Sequence, residues 1–272
     1  MFIYFKKNDF IKYWKSVKEL IKIKELAVKD MVKIYNIFTD SYEDVHTDNG
    51  GLIGSNKHLR NGLIDSQGLC GRQRHLALVV KENLYSDQDR CHIFEANTSL
   101  SVLLQDKYNF TVSAYWREDV KPKFFDESVQ FQDLCDLDMP DEFFDILVHS
   151  DCLEHIPDYE LSLKQCVKKL KPGGRLIFSV PIFSMPSTNI RAKLKDNKVV
   201  HIQDPEWHGD IGGQAPILAF YNFGLDLLDK IENAGFSKVE LAYCHDPLLG
   251  LYSDNHPEWA WKMAPISIVA TK

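Results

Sequence analysis

The sequence predicts an α/β fold built on a largely parallel sheet, and three observations carry that prediction. Short apolar runs of the kind that form buried strands recur from residue 91 onward. Stretches with helical spacing stand between them, and turn signals such as "KPGG" (171–174) punctuate the alternation. Strands alternating with helices require crossover connections, which give parallel neighbours covered on both faces.

In chain order, residues 10–27 come first, with Phe10, Trp14, Val17 and Ile21 at helical spacing and lysines on the other face. An amphipathic helix of this type packs on the main domain or on a partner, another copy included, and leaves its lysines in solvent. Contact with a membrane surface or an acidic partner is the sharper alternative. Residues 40–71 are rich in Gly, Asp, Asn and Ser and read as loops. "RQRHLALVV" then reads as a helix, "CHIFEA" as a strand, "LSVLLQDKY" as a helix and "FTVSAYW" as a strand. "VQFQDLCDL" supplies a short strand and a polar turn, and "FDILVHS" a buried strand. Residues 158–170 place Leu163, Cys166, Val167 and Leu170 on one helical face. "KPGG" is expected to end that helix through a left-handed glycine. "RLIFSV", a helix at 223–235, "KVELAYC" and "PISIVAT" complete a sheet of seven strands. The expected organisation is an N-terminal helical extension with its loop over 1–60 and a main domain over 61–272. The stretch 181–222 is too long for a simple connection and reads as a substrate-binding insertion, with a structural flap as the alternative.

The 272 residues suffice for one large domain. A net charge of −7 argues against a nucleic-acid partner, because phosphate backbones need a basic surface. The charge is uneven: residues 1–33 carry nine Lys against four acids, leaving −12 on the rest. The six cysteines form neither a C-x-x-C pair nor a Cys/His cluster with metal spacing. Reduced thiols in a cytoplasmic protein, with no metal site, are the expectation. No apolar run reaches the length of a membrane span.

In such a sheet, ligands bind beyond the carboxyl ends of the strands. The segments starting there include "EANTS" (95–99), "QDLCDL" (132–137) and "HSDCLEH" (149–155). Over 144–181, "FDILVHSDCLEHIPDYELSLKQCVKKLKPGGRLIFSVP" resembles the fourth-to-fifth-strand module of class I S-adenosylmethionine-dependent methyltransferases. That resemblance covers roughly residues 61–272 and implies their Rossmann-like fold with S-adenosylmethionine as the cofactor. "RQR", "EAN", "QDL", "PEWHGD" and "FGLDLLD" further resemble a bacterial group often encoded with surface-polysaccharide enzymes. The resemblance implies methyl transfer to a small-molecule or sugar-containing acceptor, most naturally at oxygen.

The implied cofactor contacts are Glu95, Ala96 and Asn97 after the first strand, Asp133 and Leu134 for the adenine, and Ser150, Asp151 and Cys152 for the methionine end. Asp133 could instead cap the following turn. Arg74, or its neighbour Arg72, has the geometry to pair with the cofactor's carboxylate. His155 or His208 would take the acceptor's proton, a task suited to a near-neutral pKa, although His155 could instead orient its loop. Glu206 and Asp210 would hold acceptor hydroxyls, and Trp207 would stack on a sugar ring. His245, Tyr252, Trp259 and Trp261 could form a second wall or an oligomer contact.

The sequence also departs from the family. Its first motif has no glycine, although a Gly-rich turn normally lets the backbone approach the cofactor. Ala114 stands where an acid usually ends the second strand, with Glu118 and Asp119 as later substitutes. Only Cys70 remains where many relatives carry a Cys-x-x-Cys pair. These departures leave open a degenerate, non-catalytic binding module. A related enzyme using the same cofactor for other chemistry is also left open.

Overall fold

The structure is a computed structural model that describes residues 2–26, 30–48, 52–53, 56–116, 125–183, 185–209, 216–253 and 266–272. The chain divides into two compact units, Met1–Asn83 with Glu240–Ile268, and Leu84–Val239 with Val269–Lys272. Residues 61–83 and one late segment, Glu240–Ile268, group with the N-terminal region.

The first unit opens with β1 (Ile3–Phe5), α1 (Lys7–Leu26), and the antiparallel hairpin β2 (Met31–Asn36) and β3 (Ser41–His46). A two-residue pair, β4 (Leu52–Ile53) and β5 (Asn56–Lys57), precedes α2 (Gly71–Asn83). The N-terminal region is therefore not only helical. β3 lies in a stretch that reads as loop because its outward positions are polar, while Ile34 and Val45 bury the inner face. α1 packs through Phe10 and Trp14, whose rings lie 6.2 and 6.3 Å from that of Tyr243.

The second unit carries β6 (Cys91–Ile93), α3 (Ser99–Lys107), β7 (Phe110–Ala114), β8 (Gln130–Phe131) and β9 (Phe144–Ser150). α4 (Tyr159–Lys169) and β10 (Leu170–Ser179) follow. β6 pairs in parallel with β7 and β9, β7 with β8, and β9 with β10. Asp158 caps α4 by accepting from the Leu161 amide at 3.1 Å. The helix ends before "KPGG" rather than at it, since Leu170 is already extended. Gly173 (φ 79°) instead serves the irregularity in β10, where the register with β9 shifts between Leu170 and Arg175.

The 181–222 stretch is a β excursion containing β11 (Asn189–Ile190), β12 (Ala192–Lys195), β13 (Lys198–His201), β14 (Glu206–His208), β15 (Ile217–Ala219) and β16 (Tyr221–Asn222). They form three two-stranded ladders, β11 with β16, β12 with β13 and β14 with β15. After α5 (Leu227–Asn233) come β17 (Lys238–Tyr243) and β18 (Ile266–Thr271). The main sheet has eight strands in the order β1-β17-β18-β10-β9-β6-β7-β8. The additional strand is β1, which pairs antiparallel with β17. This α/β sheet is the Rossmann-like fold expected for class I methyltransferases, with one strand more than the seven read from the sequence.

Candidate functional site

In the second unit the register fixes which residues share an edge. Ile93 lies opposite Val112 and Val148, and Ser150 opposite Ser179, so the loops after β6, β9 and β10 leave from one side of the sheet. Asn97 adopts φ 61°. It makes a left-handed turn without glycine, and asparagine is among the residues best able to do so. Thr98 then caps α3 in a capping box with Ser101. Both carboxylate oxygens of Glu95 are sealed from solvent. Ala96 and Ala114 pack with Val129, so the end of β7 is apolar where a ribose-binding acid is usual. Glu118, Asp119 and Asp210 lie outside the described residues, as do Trp259 and Trp261.

Asp133 Oδ1 accepts from the Cys135 amide at 2.8 Å. The capping role considered for it is therefore real. A carboxylate has a second oxygen, so capping leaves acceptor capacity for a ligand. Leu134 beside it is buried. Asp151 takes a left-handed conformation (φ 48°), donates its amide to the Ser179 carbonyl at 2.9 Å, and accepts from Ser179 Oγ at 2.8 Å. Burial, reinforced by the charges of Glu95, Glu154 and Asp151, pushes the Cys152 thiol pKa far up and keeps it protonated. Cys152 is thus a neutral lining group surrounded by three acids.

The one-turn helix Leu153–His155 follows. Glu154 is only 1% exposed. His155 Nδ1 lies 2.9 Å from the Leu218 carbonyl, an acceptor only, so Nδ1 carries the proton and donates it there. Nε2, the other ring nitrogen, is 3.7 Å from Glu154 Oε1. The "HSDCLEH" and "PEWHGD" segments come together here: the rings of His155 and His208 are 4.9 Å apart and nearly perpendicular. His208 Nδ1 lies 3.9 Å from the same Glu154 oxygen, and its Nε2 is 2.9 Å from Glu206 Oε1. Arg191 Nε, at 3.2 Å, and the Asn222 amide hold Glu206 in turn. Burial opposes both charges, yet the contact raises the His208 pKa and, with Asn222 and Arg191, lowers that of Glu206.

Two expectations need correction. Glu206 and His208 share one face of β14 and touch each other, so strand alternation turns Trp207 to the other face, where it is 55% exposed. It does not share a wall with His208. Arg74 has no donor left for a cofactor carboxylate. Its Nε meets the Leu249 carbonyl, Nη1 meets Asp65 and the Leu69 carbonyl, and Nη2 meets the carbonyls of Leu63 and Gly250. A guanidinium has five N–H donors, and all five are used inside the first unit. Arg72 Nε donates to Asn61. Ser179, Asn222 and the role of Glu154 are set by contacts between distant segments. The signal for Glu154 was its place beside His155, but its second imidazole comes from a distant hairpin.

Residues 98–178 match the family described as "Methyltransferase domain". That match spans under a third of the chain and covers α3 through most of β10. The chain is 43% identical over 51 residues to the ubiquinone/menaquinone biosynthesis C-methyltransferase UbiE of Vibrio vulnificus (strain YJ016), covering 18% of this chain and 20% of the relative. It is 42% identical over 50 residues to the ubiquinone biosynthesis O-methyltransferase of Coxiella burnetii (strain Dugway 5J108-111), covering 18% and 21%. The chain thus spans about a fifth of the length of these curated relatives. Among solved structures, an S-adenosylmethionine-dependent methyltransferase from Listeria monocytogenes is 14% identical with a TM-score of 0.44, over 73% of this chain and 98% of that one. The 1,6-didemethyltoxoflavin-N1-methyltransferase of Burkholderia thailandensis, solved with its acceptor and S-adenosylhomocysteine, is 16% identical with a TM-score of 0.41, over 74% and 78%. At these scores they add nothing to what the strand order shows.

Proposed function

We propose that this chain is an S-adenosylmethionine-dependent methyltransferase acting on the oxygen of a small-molecule or sugar-containing acceptor. The observation that carries the reading is the partly buried Glu154–His155–His208 cluster, adjoining the loop of Ser150, Asp151 and Cys152. Glu95, Ala96, Asn97 and the 150–152 loop would line the methionine end, with Asp133 and Leu134 at the adenine. The left-handed Asn97 turn suits that ligand.

The cofactor supplies an activated methyl group on a sulfonium, which accepts the C–S electron pair when the methyl leaves. The protein's task is to align the acceptor oxygen and take its proton. His155 is suited to this, because its Nδ1–H is committed to the Leu218 carbonyl, which makes Nε2, the nitrogen facing Glu154, the basic one. Glu154 would steady the resulting imidazolium. Glu206, whose oxygens already hold His208, Asn222 and Arg191, would keep His208 in place. Among the described residues no helix is long and apolar enough to cross a membrane.

A second reading, a binding module without turnover, is favoured by the apolar end of β7 at Ala114. Calorimetry with S-adenosylmethionine and S-adenosylhomocysteine tests the proposal. Heat with either ligand, reduced in Glu95→Gln, supports the enzyme. No heat at millimolar ligand overturns it.

A further inference from the structure

We infer that Glu154, His155 and His208 form a binding site for one divalent transition-metal ion of the zinc, manganese or iron type. Each residue offers one ligand atom, and these atoms lie within 4.8 Å of one another. His155 Nε2 and His208 Nδ1 approach the same Glu154 oxygen at 3.7 and 3.9 Å. Ligands bound to zinc at about 2.0–2.2 Å in a tetrahedron stand roughly 3.4 Å apart, so the two contacts to Glu154 must close by roughly 0.3–0.5 Å and the two imidazole nitrogens by at most about 1.4 Å.

The surroundings of the two rings are the independent observation. A metal-binding imidazole normally donates its far N–H to a carbonyl or carboxylate, which fixes the tautomer and aims the other nitrogen at the ion. Both rings have this arrangement. His155 donates through Nδ1 to the Leu218 carbonyl, and His208 donates through Nε2 to Glu206, itself held by Arg191 and Asn222. The other two nitrogens, His155 Nε2 and His208 Nδ1, face Glu154. One carboxylate and two imidazoles suit borderline ions, whereas magnesium prefers oxygen ligands and its own waters.

Three protein ligands leave a coordination position for an outside oxygen. Here the inference rests on the proposed function and deepens it: the outside oxygen would be the acceptor's hydroxyl. Coordination lowers a hydroxyl's pKa, so its proton passes to solvent and the alkoxide stays on the ion, aligned for methylation. The two histidines would then act as ligands, and the ion would replace the base.

The test is titration of chelator-stripped, untagged full chain with zinc chloride and, separately, magnesium chloride, followed calorimetrically. Elemental analysis after dialysis gives the stoichiometry. One zinc per chain is expected, weakened at least 100-fold in His208→Ala and Glu154→Gln, and roughly 10–100-fold in Glu206→Gln, which touches only the supporting shell. Magnesium should give no stoichiometric heat. Cobalt substitution should give visible bands without a thiolate charge-transfer band, which excludes the cysteines as the site. Circular dichroism of each variant establishes that it is folded. No stoichiometric zinc in the wild type, or zinc affinity unchanged in folded Glu154→Gln and His208→Ala, overturns the inference. S-adenosylhomocysteine binding measured on the same preparations separates the two ideas. Ligand heat without zinc sinks only the metal site, whereas zinc without ligand heat sinks the proposed function.

Discussion

Two histidines deep in the second unit should make the fold sensitive to mild acid. His149, on β9, is fully buried; its ring lies 4.6 Å from that of Phe178, and neither ring nitrogen has a hydrogen-bond partner among the described residues. His92, on β6, is buried between the hydroxyls of Thr111 and Ser113. Burial lowers both pKa values from 6.5 to about 3, with Asp151 opposing it only weakly at His149. Between pH 3 and 6.5 the unfolded chain therefore binds a proton that the folded chain refuses. The stability these residues contribute is full above 6.5 and falls as the pH drops through that value. Integrating from pH 7 to 5 gives a loss of about 2 kcal/mol per histidine, or about 4 for both, against a usual total of 5–15. His208 has a raised pKa and the opposite sign, so it trims the net wild-type change. The assay is urea unfolding at pH 7 and pH 5 for wild type and His149→Leu, in which subtraction cancels every shared group. The variant should lose about 2 kcal/mol less than wild type over that interval. An equal loss in both proteins would refute the reasoning.

Four further expectations concern other sites. Arg74→Lys removes a buried fork of five hydrogen bonds and should cost about 3–5 kcal/mol in urea unfolding. Gly250→Ala should also destabilise, by about 1–3 kcal/mol, because a Cβ there would lie 2.6 Å from Arg74 Nη2 at a φ of +65°; a melting point within a degree of wild type would show the hub is not rigid. Asn97→Gly should keep stability within about 1 kcal/mol and retain cofactor heat, whereas Asn97→Val should lose both, since β-branched residues resist left-handed φ. Cys91, Cys166 and Cys244, buried with thiols pushed up to about 12, should resist a thiol reagent at pH 8 until the chain is denatured.

Elements that announce themselves by period and punctuation were legible in the sequence. β9 centres on the apolar run Ile146–Val148, and α4 carries an apolar face with an aspartate cap, so both lie where their residues put them. β3 was hidden because its pattern is mostly polar, and β1 because three residues show no period. The meeting of His155 with His208 could be anticipated from topology, since their segments leave adjacent parallel strands. The side-chain directions could not. Trp207 looked like a neighbour of His208 in sequence, but within a strand adjacency means opposite faces. Arg74 looked like a ligand because an arginine at a helix start is ordinarily solvent-facing. Its commitment to carbonyls from residue 63 to residue 250 depends on contacts that no local pattern encodes.

The excursion after β10 divides into a base and a tip. At its base, the Phe220 amide donates to the Glu154 carbonyl at 2.7 Å, and the Leu218 carbonyl receives His155. Main-chain atoms thus stitch the 154–155 turn to β15 before any acceptor arrives. At its tip, β12 and β13 are exposed along nearly their whole length, joined by Asp196 and Asn197 at φ 50° and 58°, the signature of a type I′ turn. The candidate site and the outermost hairpin are consequently separate modules of one loop. Swapping residues 193–200 between homologues would exchange whatever surface the hairpin presents to solvent without unpicking the stitches that hold the two imidazoles, so this fold can diversify its periphery while its chemistry stays in place.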